Sequence, residues 1–546
     1  MAISEKRPRE RAAVAWLGDL PPTDVLELFV ARGFLTYPCD EEKLKETSFL
    51  AGLSAVIFTQ DPAHPRRVVK QIEDHAKTLL DFDCQVIVRA ATEAVVSGTD
   101  GTTDFFPLIE NIVRKLKLPH VGLDVMSSHL PKAPKAPDAK DQPRPYLHVV
   151  GLKFPWQAMA NRIANDAPGA PPYDGLNITS DVLLSQTHKL LLRRAFNDCS
   201  EIHLFRMDGG RSGVDVYRAY ADLSKGRLGP WPRPYFIKVG QRAKIFKEYE
   251  NYKGVVNPYV PFHLGPRLTE ERCHLGANKG ILVGDYVESS ESLNTTAKSG
   301  RSTQAIACLF NTTLDGWYRS AVEESTPLTQ TLRFPDLAKL APRAVCARAL
   351  GATTTPEELA EIFGRCATAM PVLMGFGHGD LHAANILVRA SDAIVIDFLA
   401  HKYMPLVYDV ACLEASLLVD GFVQDDRAIP VWLKSIVCLY DGPILDKKAG
   451  NTHPKDPSAW FFGCAAQIRL YARHLERHKG QYAAALAIAL LLKAAKDGQL
   501  PEPENSRRAA AYYLAEKLLL ETFDSPASAS IQMEPEFAPA LIAVEE

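Results

Sequence analysis

The sequence lacks several features that would assign it to a common class of protein. Its ten cysteines include no C-x-x-C pair, which argues against a zinc ribbon and favours a reducing compartment over a disulfide framework. The formal net charge is only -3 over 546 residues, so no overall basic field exists for a nucleic-acid backbone. The first residues are charged and lack the apolar core of a signal peptide. We therefore expect a cytoplasmic protein that binds no nucleic acid.

Long apolar runs are also missing. The longest, residues 482–492, is about half of the roughly 20 residues that a membrane-spanning helix needs, so we expect no membrane association. No G-x-S-x-G motif for a serine nucleophile is present. What is present is ordinary globular composition, with 47% hydrophobic and 23% charged residues. The length predicts several domains of roughly 100–200 residues each.

The clearest boundary is a proline-rich stretch at residues 131–145, which contains five prolines among Lys, Ala and Asp. Such a segment cannot run as a helix and predicts an extended linker. Before it, short β-like runs alternate with helical runs. The predicted strands are residues 12–17, 34–37, 53–58 and 84–88, and the predicted helices are residues 23–32, 41–51, 66–80 and 104–116. This alternation predicts an α/β domain over residues 1–130, with a parallel sheet covered on both faces.

In size and order this first domain resembles the receiver-like or flavodoxin-like three-layer fold. A phosphate-accepting receiver needs acidic residues at the ends of its first and third strands. Asp19 follows the first strand here, and Asp61 follows the third, one or two residues late. Two interpretations stay open: phosphorylation at Asp61, or a partner-binding domain without a phosphoacceptor. The late position of Asp61 favours the second.

The most informative block is residues 375–400, where two short apolar runs flank the turn-forming triplet 390–392. This pattern predicts a β-hairpin. If residue 389 faces residue 393, Asn385 lies opposite Asp397, with Cα atoms about 4.5–5.5 Å apart. An amide oxygen and a carboxylate are hard ligands that suit Mg²⁺ with phosphate oxygens. Asp380 then lies on the loop entering the hairpin, where a hydroxyl substrate can approach, and the set matches the needs of phosphoryl transfer.

Residues 378–385, HGDLHAAN, followed by Ile396-Asp397-Phe398, resemble the catalytic signature of the aminoglycoside phosphotransferase and choline kinase family. The resemblance implies an α+β, bilobal protein-kinase-like fold. It implies Asp380 as catalytic base and Asn385 and Asp397 as metal ligands. It also implies that His378 and Asp409 support the catalytic loop.

A kinase-like fold requires a phosphate loop upstream, and residues 208–213 supply a candidate. This loop lies between predicted strands at residues 201–207 and 214–221. Its candidate phosphate-binding residues are Gly209, Gly210, Ser212 and Gly213. Glycines let backbone N–H groups approach phosphates that a Cβ would block.

Lys238, on the predicted strand 234–239, is the candidate for contacting the α- and β-phosphates. The alternative is an ordinary solvent-facing lysine. Its expected partner is Glu248 on the predicted helix 241–255, with Glu250 in reserve. Residues 281–287 resemble the strand and hinge that hold adenine through backbone hydrogen bonds, with Asp285 and Tyr286 as the binding residues.

Two features favour a small-molecule or atypical hydroxyl acceptor over a protein. Position 382, two residues after Asp380, holds His where protein kinases carry Lys. Only twelve positions separate Asp397 from Asp409, too few for a peptide-binding loop. Glu414 and Asp420 are candidate carboxylates for a cationic acceptor, although acidic residues on exposed helices are common.

The sequence thus predicts five segments. Residues 1–130 form the receiver-like domain, 131–145 the linker, 146–287 an extra segment and the kinase-like N-lobe, 288–523 a mainly helical C-lobe, and 524–546 a flexible tail. Residues 289–343 are expected to be an irregular insertion. The predicted function is transfer of the γ-phosphate of ATP or GTP, with Mg²⁺, to an unidentified hydroxyl acceptor. The N-terminal domain would regulate the enzyme or bind a protein partner. The alternative is a nucleotide-binding pseudokinase scaffold in a bacterial signalling or conflict system.

Overall fold

The computed structural model describes most of the chain. The described residues are 13–18, 20–46, 49–50, 52–61, 65–82, 84–90, 111, 122–126, 145–165, 172–173, 175–207, 213–223, 234–276, 279–422, 427–446, 456–496 and 504–523. The chain divides into two compact units. Unit 1 comprises Met1–Asn251 with Pro266–Glu288, and unit 2 comprises Tyr252–Gly265 with Ser289–Glu546.

Unit 1 begins with a six-stranded parallel sheet in the order β2-β1-β3-β4-β6-β5. Its strands are β1 (Ala13–Leu17), β2 (Leu35–Cys39), β3 (Leu53–Thr59), β4 (Gln85–Arg89), β5 (Gly122–Met126) and β6 (Pro145–Val150). Its helices are α1 (Thr23–Val30), α2 (Pro65–Asp81) and α3 (Trp156–Asn165). β4 is buried throughout, as expected for a strand covered on both faces. One core contains Ile72 of α2, and the other contains Phe29 of α1 and Ile163 of α3. The predicted α/β sheet is present.

The predicted boundary at residue 130 is wrong, because β6 pairs in parallel with both β4 and β5. The proline-rich stretch therefore connects two strands of one sheet. β6 begins at a proline, which is tolerated at the first residue of a strand. The first four strands follow the order of flavodoxin-like sheets, but β5 adds a further edge strand. Of the predicted helix 41–51, the described residues form a 3-10 turn at Lys43–Lys45 and a helical pair at 49–50. The predicted helix 104–116 lies outside the described residues except for residue 111.

The second sheet of unit 1 has the order β11-β12-β10-β9-β8-β7 and is antiparallel except for the β7–β8 pair. Its strands are β7 (Asn177–Ser180), β8 (Cys199–Arg206), β9 (Asp215–Leu223), β10 (Tyr235–Gln241), β11 (His274–Leu275) and β12 (Lys279–Asp285). Helix α4 (Gln186–Ala195) precedes β8, and α5 (Arg242–Asn251) follows β10. Central strand β10 thus carries Lys238 directly before a helix, as the kinase-like prediction requires.

Helix α4 belongs to both cores of unit 1. Leu190 packs in the core beneath the parallel sheet, whereas Leu191 and Leu192 pack in the core of the antiparallel sheet. In addition, Arg194 Nη2 donates to the carbonyl oxygen of Phe82 at 3.4 Å. One short helix therefore joins the two sheets.

Unit 2 is mainly helical. Its longer helices are α6 (Leu293–Lys298), α7 (Ser302–Cys308), α8 (Asp315–Arg319), α9 (Leu337–Arg348), α10 (Pro356–Gly364), α11 (Val407–Val419), α12 (Ile429–Ile436), α13 (Ala459–Leu475), α14 (Gln481–Ala494) and α15 (Glu504–Phe523). Six strands form two small sheets, ordered β13-β16-β17 and β14-β15-β18. They are β13 (Glu291–Ser292), β14 (Val322–Thr326), β15 (Met370–Gly377), β16 (Ile386–Arg389), β17 (Asp392–Val395) and β18 (Lys402–Pro405). The predicted hairpin is β16–β17.

The prediction of an irregular insertion at residues 289–343 is wrong. This segment contains four short α-helices, the start of α9 and two strands, and both strands join sheets of unit 2. β13 pairs with β16 through Glu291 and Val388, and β14 pairs with β15 through Val322 and Met374. The four short helices are only four to seven residues long, so none carries enough periodicity to be recognised from the sequence.

The longest apolar run of the sequence lies in α14. Its side chains from Gln481 to Leu491 are buried within unit 2. Within the part of the chain that the structure describes, no helix is long and apolar enough to cross a membrane.

Candidate active site

The loop that follows β15 is held by a buried carboxylate. Asp409, in the first turn of α11, is fully buried and accepts hydrogen bonds from the backbone N–H groups of His378 at 2.6 Å and Gly379 at 2.9 Å. The ring Nε2 of His378 lies 3.0 Å from the carbonyl oxygen of Ile396, at the end of the hairpin. These contacts join the loop to α11 on one side and to the hairpin on the other.

Gly379 is required where this loop turns. Its φ is +78°, in the left-handed region that disfavours other residues. A Cβ at this position would lie 2.3 Å from the carbonyl oxygen of Ala400. The glycine therefore allows a backbone path and an approach that no side chain permits.

Asp380 and Asn385 lie at the two ends of the next turn. The Asp380 side chain is 65% exposed. Asn385 is buried, and its Nδ2 donates to the carbonyl oxygen of Asp380 at 3.1 Å. Since the amide nitrogen is used in this way, Oδ1 is the atom of Asn385 that suits a metal. The loop thus exposes a carboxylate and buries the amide that follows it.

The predicted hairpin register is wrong by one residue. Arg389 pairs with Asp392, so the turn consists of Ala390 and Ser391 rather than a triplet. Two-residue turns match the strand twist, and here Ala390 adopts a φ of 56° to form one. Asn385 consequently faces Ile396, whose N–H donates to the Asn385 carbonyl oxygen at 2.9 Å. The backbone pairing places Asn385 beside the residue that precedes Asp397.

Asp397 departs from strand geometry directly after this pairing. Its φ is 67° and its ψ is 74°, which is a left-handed conformation. A non-glycine residue in this region is strained, and such strain concentrates at functional sites.

His382 lies close to Asp380, with Nε2 3.8 Å from Oδ2. Burial lowers the pKa of His382 to about 4, even though the Asp380 charge acts in the opposite direction. The imidazole is therefore neutral near pH 7. The lysine found here in protein kinases would carry a charge, so the replacement removes one positive charge from this side of the loop.

In unit 1, Lys238 and Glu248 form a buried ion pair. The Lys238 Nζ lies 2.8 Å from Glu248 Oε1 and 2.7 Å from Oε2. Glu248 follows the buried Ile245 by three residues on α5, so both side chains point towards the sheet, whereas Glu250 is exposed. The structure therefore pairs Lys238 with the glutamate that the sequence favoured.

Of the predicted phosphate loop, Gly209, Gly210 and Ser212 lie outside the described residues. Gly213 is described and has a φ of +72°. The strands on either side of the loop are joined by an ion pair.

An ion pair joins β8 and β9, the strands on either side of the predicted phosphate loop. Arg206 Nη2 on β8 lies 3.1 Å from Asp215 Oδ1 on β9. The ring Nε2 of His188 lies 3.0 Å from Asp215 Oδ2. The sequence analysis missed this contact set. Opposite charges at the two ends of the glycine loop were the available signal.

Asp285 and Tyr286 lie at the end of β12, where adenine binding was predicted. Their backbone N–H groups are already engaged. Asp285 donates to the carbonyl oxygen of Arg267 at 2.8 Å, and Tyr286 donates to that of Pro234 at 3.1 Å. These two N–H groups could donate to adenine only if both contacts broke, and the adenine-binding role of Asp285 and Tyr286 stays a prediction.

Glu414 does not serve as an acceptor-binding carboxylate. It is fully buried, and its oxygens contact Arg469 at 2.6 and 3.0 Å. The hydroxyls of Tyr440 and Tyr482 donate to it at 3.1 and 2.5 Å. The residue is the centre of a closed network among α11, α13 and α14. Asp420 also has a partner, Lys493, whose Nζ lies 2.5 Å from its Oδ2.

Among the described residues, no three His, Cys, Asp or Glu side chains are grouped as metal ligands. The predicted pair, Asn385 and Asp397, is a different donor set of one amide and one carboxylate. Both are hard oxygen donors of the kind that Mg²⁺ binds together with phosphate and water.

Residues 312–428 match the model of APH, the phosphotransferase enzyme family. The predicted family resemblance is confirmed for this segment. The matched segment contains Asp380, Asn385, Asp397 and Asp409, together with the hairpin and α11. No curated protein matches the sequence.

Similar solved structures include kinases of small molecules. Amicoumacin kinase hAmiN is 14% identical, with a TM-score of 0.34, over 59% of this chain and 90% of that protein. Aminoglycoside phosphotransferase APH(3'')-Id from Streptomyces rimosus is 19% identical, with a TM-score of 0.28, over 53% of this chain and 99% of that protein. A choline/ethanolamine kinase family protein from Mesorhizobium loti is 13% identical, with a TM-score of 0.32, over 60% of this chain and 90% of that protein.

Proposed function

We propose that this protein is a nucleotide-dependent phosphotransferase that moves the γ-phosphate of ATP or GTP to a hydroxyl of a small-molecule or atypical acceptor. The observation that carries the proposal is the exposed Asp380 on a loop fixed by Asp409 and Asn385. This loop lies within the segment that matches the phosphotransferase family.

In the proposed reaction, the acceptor hydroxyl oxygen attacks the γ-phosphorus. The new P–O bond forms as the bond to the nucleoside diphosphate breaks, and the hydroxyl proton passes to the Asp380 carboxylate. The exposure of Asp380 supports this role, because a hydroxyl must approach within hydrogen-bond distance. His382 beside it is neutral, so it adds no positive charge that would oppose proton transfer to Asp380.

Asn385 Oδ1 and Asp397 would hold Mg²⁺, which neutralises charge on the phosphate oxygens when it is bound. Lys238, fixed by Glu248, would contact the α- and β-phosphates. The buried ion pair supports this role, because a lysine held by two carboxylate oxygens is oriented before the nucleotide arrives.

The decisive experiment measures release and transfer of labelled phosphate from γ-labelled ATP or GTP with Mg²⁺. We expect slow hydrolysis by the wild-type protein and its loss in Asp397→Ala. Asp392→Ala on the same hairpin is the matched control and should keep the activity. Nucleotide binding without any phosphate release would instead support the pseudokinase scaffold.

We further propose that the N-terminal α/β domain regulates this activity or binds a protein partner. Helix α4 supports the proposal, because Leu190 packs under the parallel sheet while Leu191 packs under the sheet that carries Lys238. Leu190→Ala should change the nucleotide Kd at least threefold, and Lys189→Ala on the same helix should not. An unchanged Kd in a folded Leu190→Ala variant would contradict this coupling.

A further inference from the structure

Two buried carboxylates near the loop that carries Asp380 already have partners within unit 2. Glu414, which would suit a cationic acceptor, is instead neutralised by the buried guanidinium of Arg469. Asp409 is buried against two backbone N–H donors. Neither carboxylate offers an uncompensated negative charge to a ligand.

Asp420 is a carboxylate at the C-terminal end of α11. The Oγ of Ser416 accepts a hydrogen bond from the N–H of Ala383 at 2.9 Å, which places this face of α11 against the loop. Asp420 follows Ser416 by four residues and therefore lies on the same face, about one helical turn further along. It is the C-cap residue of the helix.

Lys493 of α14 pairs with Asp420 at 2.5 Å, and the two side chains are 14% and 20% exposed respectively. The pair is thus mostly enclosed but keeps an accessible edge. Both charges act on the imidazole of His382, and His382 lies 3.8 Å from Asp380. The ion pair therefore belongs to the surroundings of the proposed catalytic base.

A polycationic acceptor requires carboxylates that are not already paired, since charge complementarity decides which partners a polar site accepts. An ion pair of zero net charge suits a different ligand. Its carboxylate oxygens accept hydrogen bonds and its ammonium group donates them, so together they match hydroxyl groups, which do both.

We propose that the acceptor is an uncharged polyhydroxyl compound of the sugar or cyclitol class, and that the Asp420–Lys493 pair binds its hydroxyl groups. This inference rests on the proposed phosphotransferase function and names the substrate class of that site. Asp380 would take the proton from one hydroxyl while the ion pair orients the others.

The test uses matched compounds that differ in charge. The full-length protein is incubated with γ-labelled ATP, Mg²⁺ and either glucose or glucosamine, and either myo-inositol or 2-deoxystreptamine. We expect kcat/KM for the uncharged member of at least one pair to exceed that for its amine by tenfold or more. Preference for the amines, equal use of both, or transfer to no uncharged compound would overturn the inference.

Charge variants give a second readout. Lys493→Met removes the positive charge that pairs with Asp420 and should shift the ratio of kcat/KM towards the amine at least tenfold. The double variant Asp420→Asn/Lys493→Met removes both charges of the pair. It should lower kcat/KM for the uncharged compound at least tenfold and should not raise kcat/KM for the amine.

Lys479→Met, at an exposed lysine before α14, is the control and should leave the ratio unchanged. Two results together would overturn the inference. They are an unchanged ratio of kcat/KM between the uncharged compound and the amine in Lys493→Met, and unchanged kcat/KM for the uncharged compound in the double variant. Mg²⁺-dependent ATP hydrolysis, measured in the same samples, separates the two levels of failure. If hydrolysis persists and is lost in Asp380→Ala, the proposed function stands even when the acceptor class is wrong.

Discussion

The carboxylate of Asp409 lies 2.6 Å from the backbone nitrogen of His378, although the two residues are 31 positions apart. Asp409 is fully buried, so this contact takes place without competition from water. Because the loop carrying Asp380 begins at His378, the position of the proposed catalytic base depends on a fully buried residue of α11.

Asp409→Asn should therefore impair catalysis through the loop. An asparagine can present only one oxygen to the two N–H donors of His378 and Gly379, and its NH₂ group would face the other. A buried donor left without an acceptor costs about 1–3 kcal/mol. We expect the free energy of unfolding to fall by that amount and kcat to fall more than tenfold, with the nucleotide Kd unchanged. Denaturant unfolding, titration with nucleotide and steady-state kinetics check each part.

The same residue predicts a pH dependence. Burial raises the pKa of Asp409 above its ordinary value, so the folded protein binds this proton more readily than the unfolded chain. The contribution of Asp409 to stability should then fall as pH rises from about 4 through the raised pKa, and stay low above it. The difference in unfolding free energy between wild type and Asp409→Asn, measured by denaturant titration across this range, should decrease with pH. A difference that is constant or increases would contradict the assignment.

Gly379→Ala should disrupt the loop that carries Asp380, the proposed catalytic base. The left-handed φ and the 2.3 Å approach to the Ala400 carbonyl oxygen leave no room for a methyl group. We expect activity to fall at least a hundredfold and thermal stability to drop. Gly463→Ala is the control, because its Cβ would meet open space within α13. Replacing a helical glycine there should stabilise the protein by about 0.5–1 kcal/mol.

Glu248→Gln should weaken nucleotide binding, because it removes the negative charge that holds the buried Lys238 ammonium group. Removing one member of a buried ion pair typically lowers the free energy of unfolding by about 3–5 kcal/mol. Glu250→Gln, on the exposed side of the same helix, should change neither stability nor the nucleotide Kd. Isothermal titration with ATP and thermal unfolding compare the two. Equal effects of Glu248→Gln and Glu250→Gln on stability and on the nucleotide Kd would count against the proposed role of the Lys238–Glu248 pair.

Asp380→Ala should keep nucleotide affinity and remove turnover by about 10²–10⁴-fold, the usual contribution of a general base. The side chain is mostly exposed, so its loss should not affect folding. Circular dichroism and nucleotide titration establish that the variant is intact, and labelled phosphate transfer measures the loss. Unchanged turnover would refute the assignment of Asp380.

Local patterns in the sequence predicted local structure well. Helical spacing from Ile245 selected Glu248 over Glu250, and the buried ion pair has that glutamate. The hairpin was predicted, but its register was not, because a two-residue turn needs Ala390 in a left-handed conformation that alanine rarely adopts. The roles of the site residues remain predictions.

Contacts between segments that are distant in the sequence could not be predicted from it. Glu414 was a candidate for ligand binding because nothing in its neighbourhood reveals Arg469, which lies 55 positions later. Likewise, Ser416 gave no signal of its contact with Ala383. Composition also misled at residues 131–145, where prolines suit a linker between domains and a connection within one sheet equally well.

The placement of β6 determines how the chain can be divided for separate expression. A fragment that stops at residue 130 would lack β6, which pairs with both β4 and β5. The complementary fragment would contain β6 without either of these neighbouring strands. A fragment designed to express the parallel sheet alone should therefore extend through Asn165, so that it also contains α3.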